Sequence, residues 1–214
     1  CEAQPDKAYQ VNTVGARNLA VQAQAIGAKL IHLSTDDVFS HHARQPYNEF
    51  EIPTPSTIYG KSKLAGERFV QNLCTRHVIV RSSWVYGIGK DFVNTILEAA
   101  NNPSVTSMEV AENEFASPTS ATELAKVIEQ LIDNDCLGIY HAVCGGFCSR
   151  FEFAQAILKA IHAKDKLTLK PISDSETINY SVLDNMMLRL ENFTQPISWQ
   201  QALKDYIRTT GGNN

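Results

Sequence analysis

Tyr59 and Lys63 stand four residues apart in the run Tyr-Gly-Lys-Ser-Lys. On a helix that spacing sets both side chains on one face, so a phenol and an ammonium can enter one cleft. A free phenol has a pKa near ~10 and is a poor proton donor or acceptor at neutral pH. A neighbouring ammonium favours the phenolate and is expected to lower that value toward the working range. The same ammonium can hold a ribose hydroxyl. Taken alone the pair is weak evidence, because Tyr and Lys recur at this spacing on many solvated helix faces.

Two further segments strengthen it. Ser34-Thr35-Asp36 ends a compact apolar run, and ligands of open α/β sheets bind at the C-terminal ends of strands. A hydroxyl at that point can hydrogen-bond a carbonyl oxygen and the Tyr59 hydroxyl together. The plainer reading is a strand end running into an Asx-type turn. Arg81-Ser-Ser-Trp84-Val-Tyr86-Gly87 follows the next apolar run, and Trp84 is either a core residue or a flat wall for a sugar or base. Polarising hydroxyl, proton donor and wall then occur in the order that a carbonyl-reducing site needs.

The elements that must position these groups alternate between two periodicities. Residues 6–26 carry Ala8, Val11, Gly15, Leu19, Ala23 and Ile26 at helical spacing, with Gly27 as a stop. Residues 29–35 read as a buried strand, 36–56 as a Pro-punctuated loop, and 57–74 as the helix bearing Tyr59 and Lys63. Residues 77–81 and 138–143 read as strands, 91–101, 120–134 and 149–162 as amphipathic helices, 167–172 as a strand and 198–208 as a closing helix. Helices alternating with buried strands predict an α/β protein with a parallel sheet and right-handed crossovers. No G-x-G-x-x-G occurs among the eleven glycines, and the chain opens directly into a helix.

The chain has 214 residues, 43% hydrophobic and 20% charged, with a net charge of −4, an ordinary globular composition. That acidity argues against nucleic-acid binding, and no apolar run approaches the ~18–20 residues of a membrane span. Five cysteines without a C-x-x-C pair read as reduced thiols, which suggests a cytoplasmic protein. His41-His42 lacks flanking carboxylates at ligand spacing and reads as a solvated loop rather than a metal site. His32 and His141 read as satisfied core histidines. Asn12 reads as a structural helix–sheet hydrogen bond, with support of a proton-relay water as the other possibility. Asp184-Asn185 and Ser149 read as helix caps, the latter forming a capping box with Glu152.

Together, Val11-Asn12, the segment 33–39 (Leu-Ser-Thr-Asp-Asp-Val-Phe), Pro46-Tyr47, the segment 59–67 ending Leu-Ala-Gly-Glu, the segment 81–87, Ser117-Pro118-Thr119, the segment 138–141 and Ser181-Val-Leu-Asp184 resemble the dTDP-4-dehydrorhamnose reductase family. That family lies within the extended short-chain dehydrogenases/reductases. The resemblance implies a Rossmann-like parallel sheet, lacking its N-terminal part here, with a small α+β substrate domain. Residues 1–89 and about 115–148 would form the dinucleotide-binding part, and 90–114 and 149–214 the substrate-binding part. It implies hydride transfer from NADPH or NADH to C4 of dTDP-4-dehydro-L-rhamnose, a nucleotide-diphosphate sugar. Thr35, Tyr59 and Lys63 would be catalytic, Tyr59 and Lys63 would hold the cofactor, and Thr35, Asp36 and Trp84 would contact substrate. Mg2+ is possible but not legible, no metal-ligand set is expected, and a homodimer is possible.

Three departures qualify the likeness. Without a Gly-rich turn this polypeptide alone is expected to bind cofactor weakly and to turn over slowly. Asp37 stands where the family usually has Tyr, and Thr177-Ile178 where it has Arg-Pro, a candidate diphosphate contact. These leave open a non-catalytic regulatory or binding subunit of the same fold, or another nucleotide-sugar epimerase or reductase.

Overall fold

The computed structural model describes residues 1–163, 165–173 and 178–211. Thr177 therefore lies outside the described residues. The central sheet is built from β1 (Leu30–Thr35), β2 (His77–Ser82) and β7 (Gly138–His141), all parallel in the order β1-β2-β7. Thr35 pairs with Ser82 in that register, so the segments carrying Thr35 and Trp84 leave the sheet side by side.

Alternation along β2 sends Val78 and Val80 to one face and Ile79 to the other. Ile79 packs against Ala16, Ala20 and Ala23 of α2 (Gly15–Ala25) and Val70 of α3 (Ile58–Leu73). Val78 and Val80 meet Leu124, Val127 and Leu131 of α5 (Ala121–Asp133) and Leu188 of α7 (Met186–Leu190). The result is a three-layer α/β/α stack with crossover helices on both faces.

A second core is formed by α4 (Phe92–Asn101), α6 (Arg150–Ala160) and α8 (Trp199–Gly211), joined by Val93, Ile96, Phe153, Ile157 and Leu203. The parallel pair β4 (Ser107–Ala111) and β9 (Thr168–Ile172) packs on it. Between the two cores lie β3 (Val85–Tyr86) paired with β6 (Thr119–Ser120), and a small mixed sheet of β10 (Asn179–Tyr180), β5 (Glu114–Ala116) and β8 (Cys148–Ser149). Helix α7 returns to the central sheet, where Leu188 packs with Val78 and Val80.

The first helical segment differs from its expected pattern. It is a short α1 (Pro5–Tyr9), a π turn over Gln10–Val14, then α2. The wider turn breaks the 3.6-residue repeat, and the buried positions become Ala8, Thr13, Ala16, Ala20 and Ala23. Val11, Leu19 and Ile26, expected to face the core, are more than half exposed. Small residues win that face because α2 and α3 pack closely: a Cβ on Gly66 would lie 2.4 Å from the Asn12 carbonyl oxygen. No helix among the described residues is long and apolar enough to cross a membrane.

Candidate active site

Helix α3 presents Tyr59 and Lys63 to the end of β1. Its start is capped by Thr57, whose Oγ1 accepts from the Gly60 N–H at 2.9 Å. Gly60 is required by a close approach. A Cβ there would lie 1.9 Å from the Asp37 carbonyl oxygen, so only a bare backbone lets the first turn of α3 rest on the Asp36–Val38 turn. That contact brings the Tyr59 phenol near the Thr35 hydroxyl, which acts to lower the phenol's pKa. Thr35 also accepts from the Asp37 N–H at 3.2 Å and so caps its own turn. The turn-forming reading of this segment holds.

Lys63 does not act on Tyr59 as expected. Its ammonium donates to the Leu33 carbonyl at 2.6 Å, two residues back along β1. Burial lowers the Lys63 pKa, opposed by the charge of Glu67. The Tyr59 pKa is raised rather than lowered: burial is the largest cause, Thr35 works against it, and the Asp37 and Asp36 charges add to it. The phenol is therefore held protonated at neutral pH. Placed at 36% exposure, it remains open to a ligand.

Asp36 is not poised to bind a substrate. It is 6% exposed, and its oxygens accept from Thr35 at 3.1 Å, Ser83 at 2.8 Å and Ser181 at 2.6 Å. The carboxylate ties the end of β1 to the segments following β2 and β10. Burial, then the Asp37 charge, raises its pKa, and the serine hydrogen bonds oppose the rise. Neither serine was legible as a partner, because Ser181 is 145 residues away in the chain.

Trp84 is half-buried. Its ring lies near Phe153 of the second core, at 6.4 Å between centroids. The Arg150 guanidinium lies over its face at 3.6 Å. The Trp84 backbone sits at φ 41°, a left-handed conformation that a bulky side chain adopts only under constraint from its surroundings.

The remaining polar residues divide in the same way. Asp37 pairs with His41 at 3.1 Å, so His41 is no solvated loop residue. Burial works to lower the His41 pKa, but the Asp37 hydrogen bond and charge outweigh it and raise the value. Asn12 donates to Ser62 Oγ at 3.0 Å, a structural bond as expected, but to a helix rather than the sheet. Glu67, also on α3, is fully buried and takes Arg81 of β2 in a two-pronged pair at 3.0 and 2.7 Å. His141 Nδ1–H donates to the Asp184 carbonyl at 3.1 Å, and burial with the Arg81 charge lowers its pKa to about 3. His32 is only half-buried, and its Nε2 lacks a partner, so it is not a satisfied core residue. Burial and the Lys63 charge lower the His32 pKa to about 4. Ser149 and Glu152 form the expected capping box, whereas Asn185 spends its side chain on Val143 rather than on a cap. Among the described residues, no group of three or more His, Cys, Asp or Glu is placed to hold a metal ion.

The arrangement is a protonated phenol beside a threonine hydroxyl, at the C-terminal edge of a parallel sheet, with a half-buried ammonium one turn along the same helix. That set can donate a proton to an oxygen of a bound ligand.

Residues 1–211 match the family model described as the RmlD substrate binding domain. The chain is 36% identical over 215 residues to the spore coat polysaccharide biosynthesis protein SpsK of Bacillus subtilis, covering 97% of this chain and 74% of that protein. It is 32% identical over 219 residues to the dTDP-4-dehydrorhamnose reductase of Escherichia coli, covering 95% and 73%. Among solved structures it is similar to a dTDP-4-dehydrorhamnose reductase of Bacillus anthracis in complex with NADP, with a TM-score of 0.92 and 38% identity over 97% of this chain and 75% of that one. A dTDP-glucose 4,6-dehydratase of the same organism, at 16% identity and a TM-score of 0.81, shares the fold.

Proposed function

Since this chain belongs to the dTDP-4-dehydrorhamnose reductase family, we propose that it carries the proton-transfer and substrate-binding part of an NADP-dependent reductase that converts dTDP-4-dehydro-L-rhamnose to dTDP-L-rhamnose. The observation that carries this reading is the Tyr59–Thr35 pair at the end of β1. Tyr59 donates its proton to the oxygen at C4 of the sugar. Its raised pKa supports that direction of transfer, since the phenol enters the reaction protonated. Thr35 stands beside the phenol at the strand end, its own O–H donated to Asp36.

The residues present fit a nicotinamide cofactor. Lys63 spends one of its three N–H donors on the Leu33 carbonyl, leaving others for ribose hydroxyls. Ser34 Oγ, on the same strand end, is buried without a partner and has a donor to give. When bound, the cofactor supplies a hydride. Lys63 acts by anchoring and orienting rather than by lowering the Tyr59 pKa. Five free cysteines support a reducing, cytoplasmic setting.

The test is isotopic. The full-length protein is incubated with dTDP-4-dehydro-L-rhamnose and NADPH deuterated at nicotinamide C4, and the sugar is analysed by mass spectrometry and NMR. One deuterium at sugar C4 is expected. Recovery of unlabelled substrate, or of an epimer without deuterium, would overturn the proposal.

A further inference from the structure

Arg150 is the first residue of α6, and its surroundings explain neither its charge nor its conformation. A cation in the first turn of a helix opposes the helix dipole. Burial adds to that cost and lowers the Arg150 pKa, against the charges of Glu114 and Asp36. Its ion pair with Glu114 is long, 3.6 Å from Nε, and the Glu114 side chain is 39% exposed. Asp36, the other nearby carboxylate, is already committed to three hydroxyls. Two rings nevertheless hold the guanidinium flat: Trp84 at 3.6 Å and Phe92 at 4.9 Å from its central carbon. Trp84 keeps a left-handed backbone while presenting that face.

A planar guanidinium pinned by stacking, with its Nε turned to an acid, can use its two terminal nitrogens as a fork. That fork matches two oxygens of a phosphate group better than any other common ligand. Two of the backbone donors at this helix start are not available for the task. The Ser149 and Glu152 N–H groups are consumed by the capping box.

We propose that Arg150 is the residue that binds the diphosphate of the nucleotide sugar, with Trp84 serving as the platform for the arginine. This rests on the nucleotide-sugar reading above. It also assigns a substrate-binding role to α6, which faces the cleft from the second core, across from the β1 end that holds Thr35 and Asp36.

Isothermal titration of the chain with thymidine diphosphate, thymidine and inorganic pyrophosphate tests it. Thymidine diphosphate should bind the unaltered chain more tightly than thymidine. Arg150→Gln should weaken thymidine diphosphate and pyrophosphate binding about tenfold or more, the effect of losing one charge-assisted pair, and leave thymidine unchanged. Arg150→Lys keeps the charge but loses the fork and should fall between. Circular dichroism checks that each variant is folded, and the Lys variant carries the comparison if the Gln variant does not fold. Unchanged thymidine diphosphate affinity in the folded variants overturns the proposal and leaves the nucleotide-sugar reading standing. An equal loss for thymidine also overturns it, because Arg150 would then only shape the cleft. Failure of the unaltered chain to bind thymidine diphosphate would overturn both.

Discussion

Replacing Gly60 by alanine sets two effects against each other. Helix propensity alone favours alanine over glycine by ~1 kcal/mol, so an isolated α3 would gain. Packing dictates the opposite. The added Cβ would stand 1.9 Å from the Asp37 carbonyl oxygen, where ordinary contact begins at 3.4 Å. The first turn of α3 and the Asp36–Val38 turn must therefore separate by about 1.5 Å, and neither can yield by rotating a side chain, because both contacting atoms are fixed to backbone. Overpacking of this kind costs ~1–3 kcal/mol, which outweighs the propensity gain. The more telling effect is on chemistry. Tyr59 precedes Gly60 and Thr35 precedes the turn, so the same separation pulls phenol from hydroxyl. Displacing a reacting group by about 1 Å can cost ~10²-fold in rate. Gly60→Ala should lose turnover by about that factor in the full-length enzyme, with a urea midpoint shifted to lower denaturant. Turnover within twofold of the parent, or a higher midpoint, would refute the claim that this contact sets the Tyr59–Thr35 geometry.

Two other outcomes test the scaffold. Glu67→Gln leaves the Arg81 charge buried without its counter-ion, and breaking such a pair should cost ~3–5 kcal/mol in urea unfolding, far above a surface substitution. His141 is held neutral down to about pH 3, whereas an unfolded histidine takes a proton near ~6.5. Because the folded value is the lower one, the unfolded state gains the proton first, and stability is lost as pH falls below ~6.5. At pH 4.5 this residue alone should account for on the order of 2–3 kcal/mol of that loss. The pH dependence of stability should therefore be shallower in His141→Gln than in the parent, and parallel curves would contradict the assignment.

The sequence reveals the parts of this site that depend on local pattern. Residues 29–35 and 77–81 are short β-branched runs, and they form the parallel pair that delivers Thr35 and Trp84 to one edge. The Tyr59-x-x-x-Lys63 spacing places both on α3, and Ser149 with Glu152 closes the capping box. What remained hidden depends on long-range packing. The π turn at Gln10–Val14 inserts an extra residue and turns Val11 and Leu19 outward, which periodicity cannot register. The role of Asp36 follows from Ser83 and Ser181, which meet only after folding. The Tyr59 pKa rises because burial dominates and Lys63 turns to a backbone carbonyl, a competition that residue spacing does not describe. The Arg150 stack was likewise invisible, since nothing in a single sequence joins residue 150 to residue 84.

In the proposed reaction the Tyr59 hydroxyl is the proton donor. Tyr59→Phe removes that one atom and keeps the ring. Single-turnover reduction of dTDP-4-dehydro-L-rhamnose by the full-length protein should slow by on the order of 10²-fold or more, while thermal stability stays close to that of the parent. A variant that reduces its substrate at the parent rate would contradict that role.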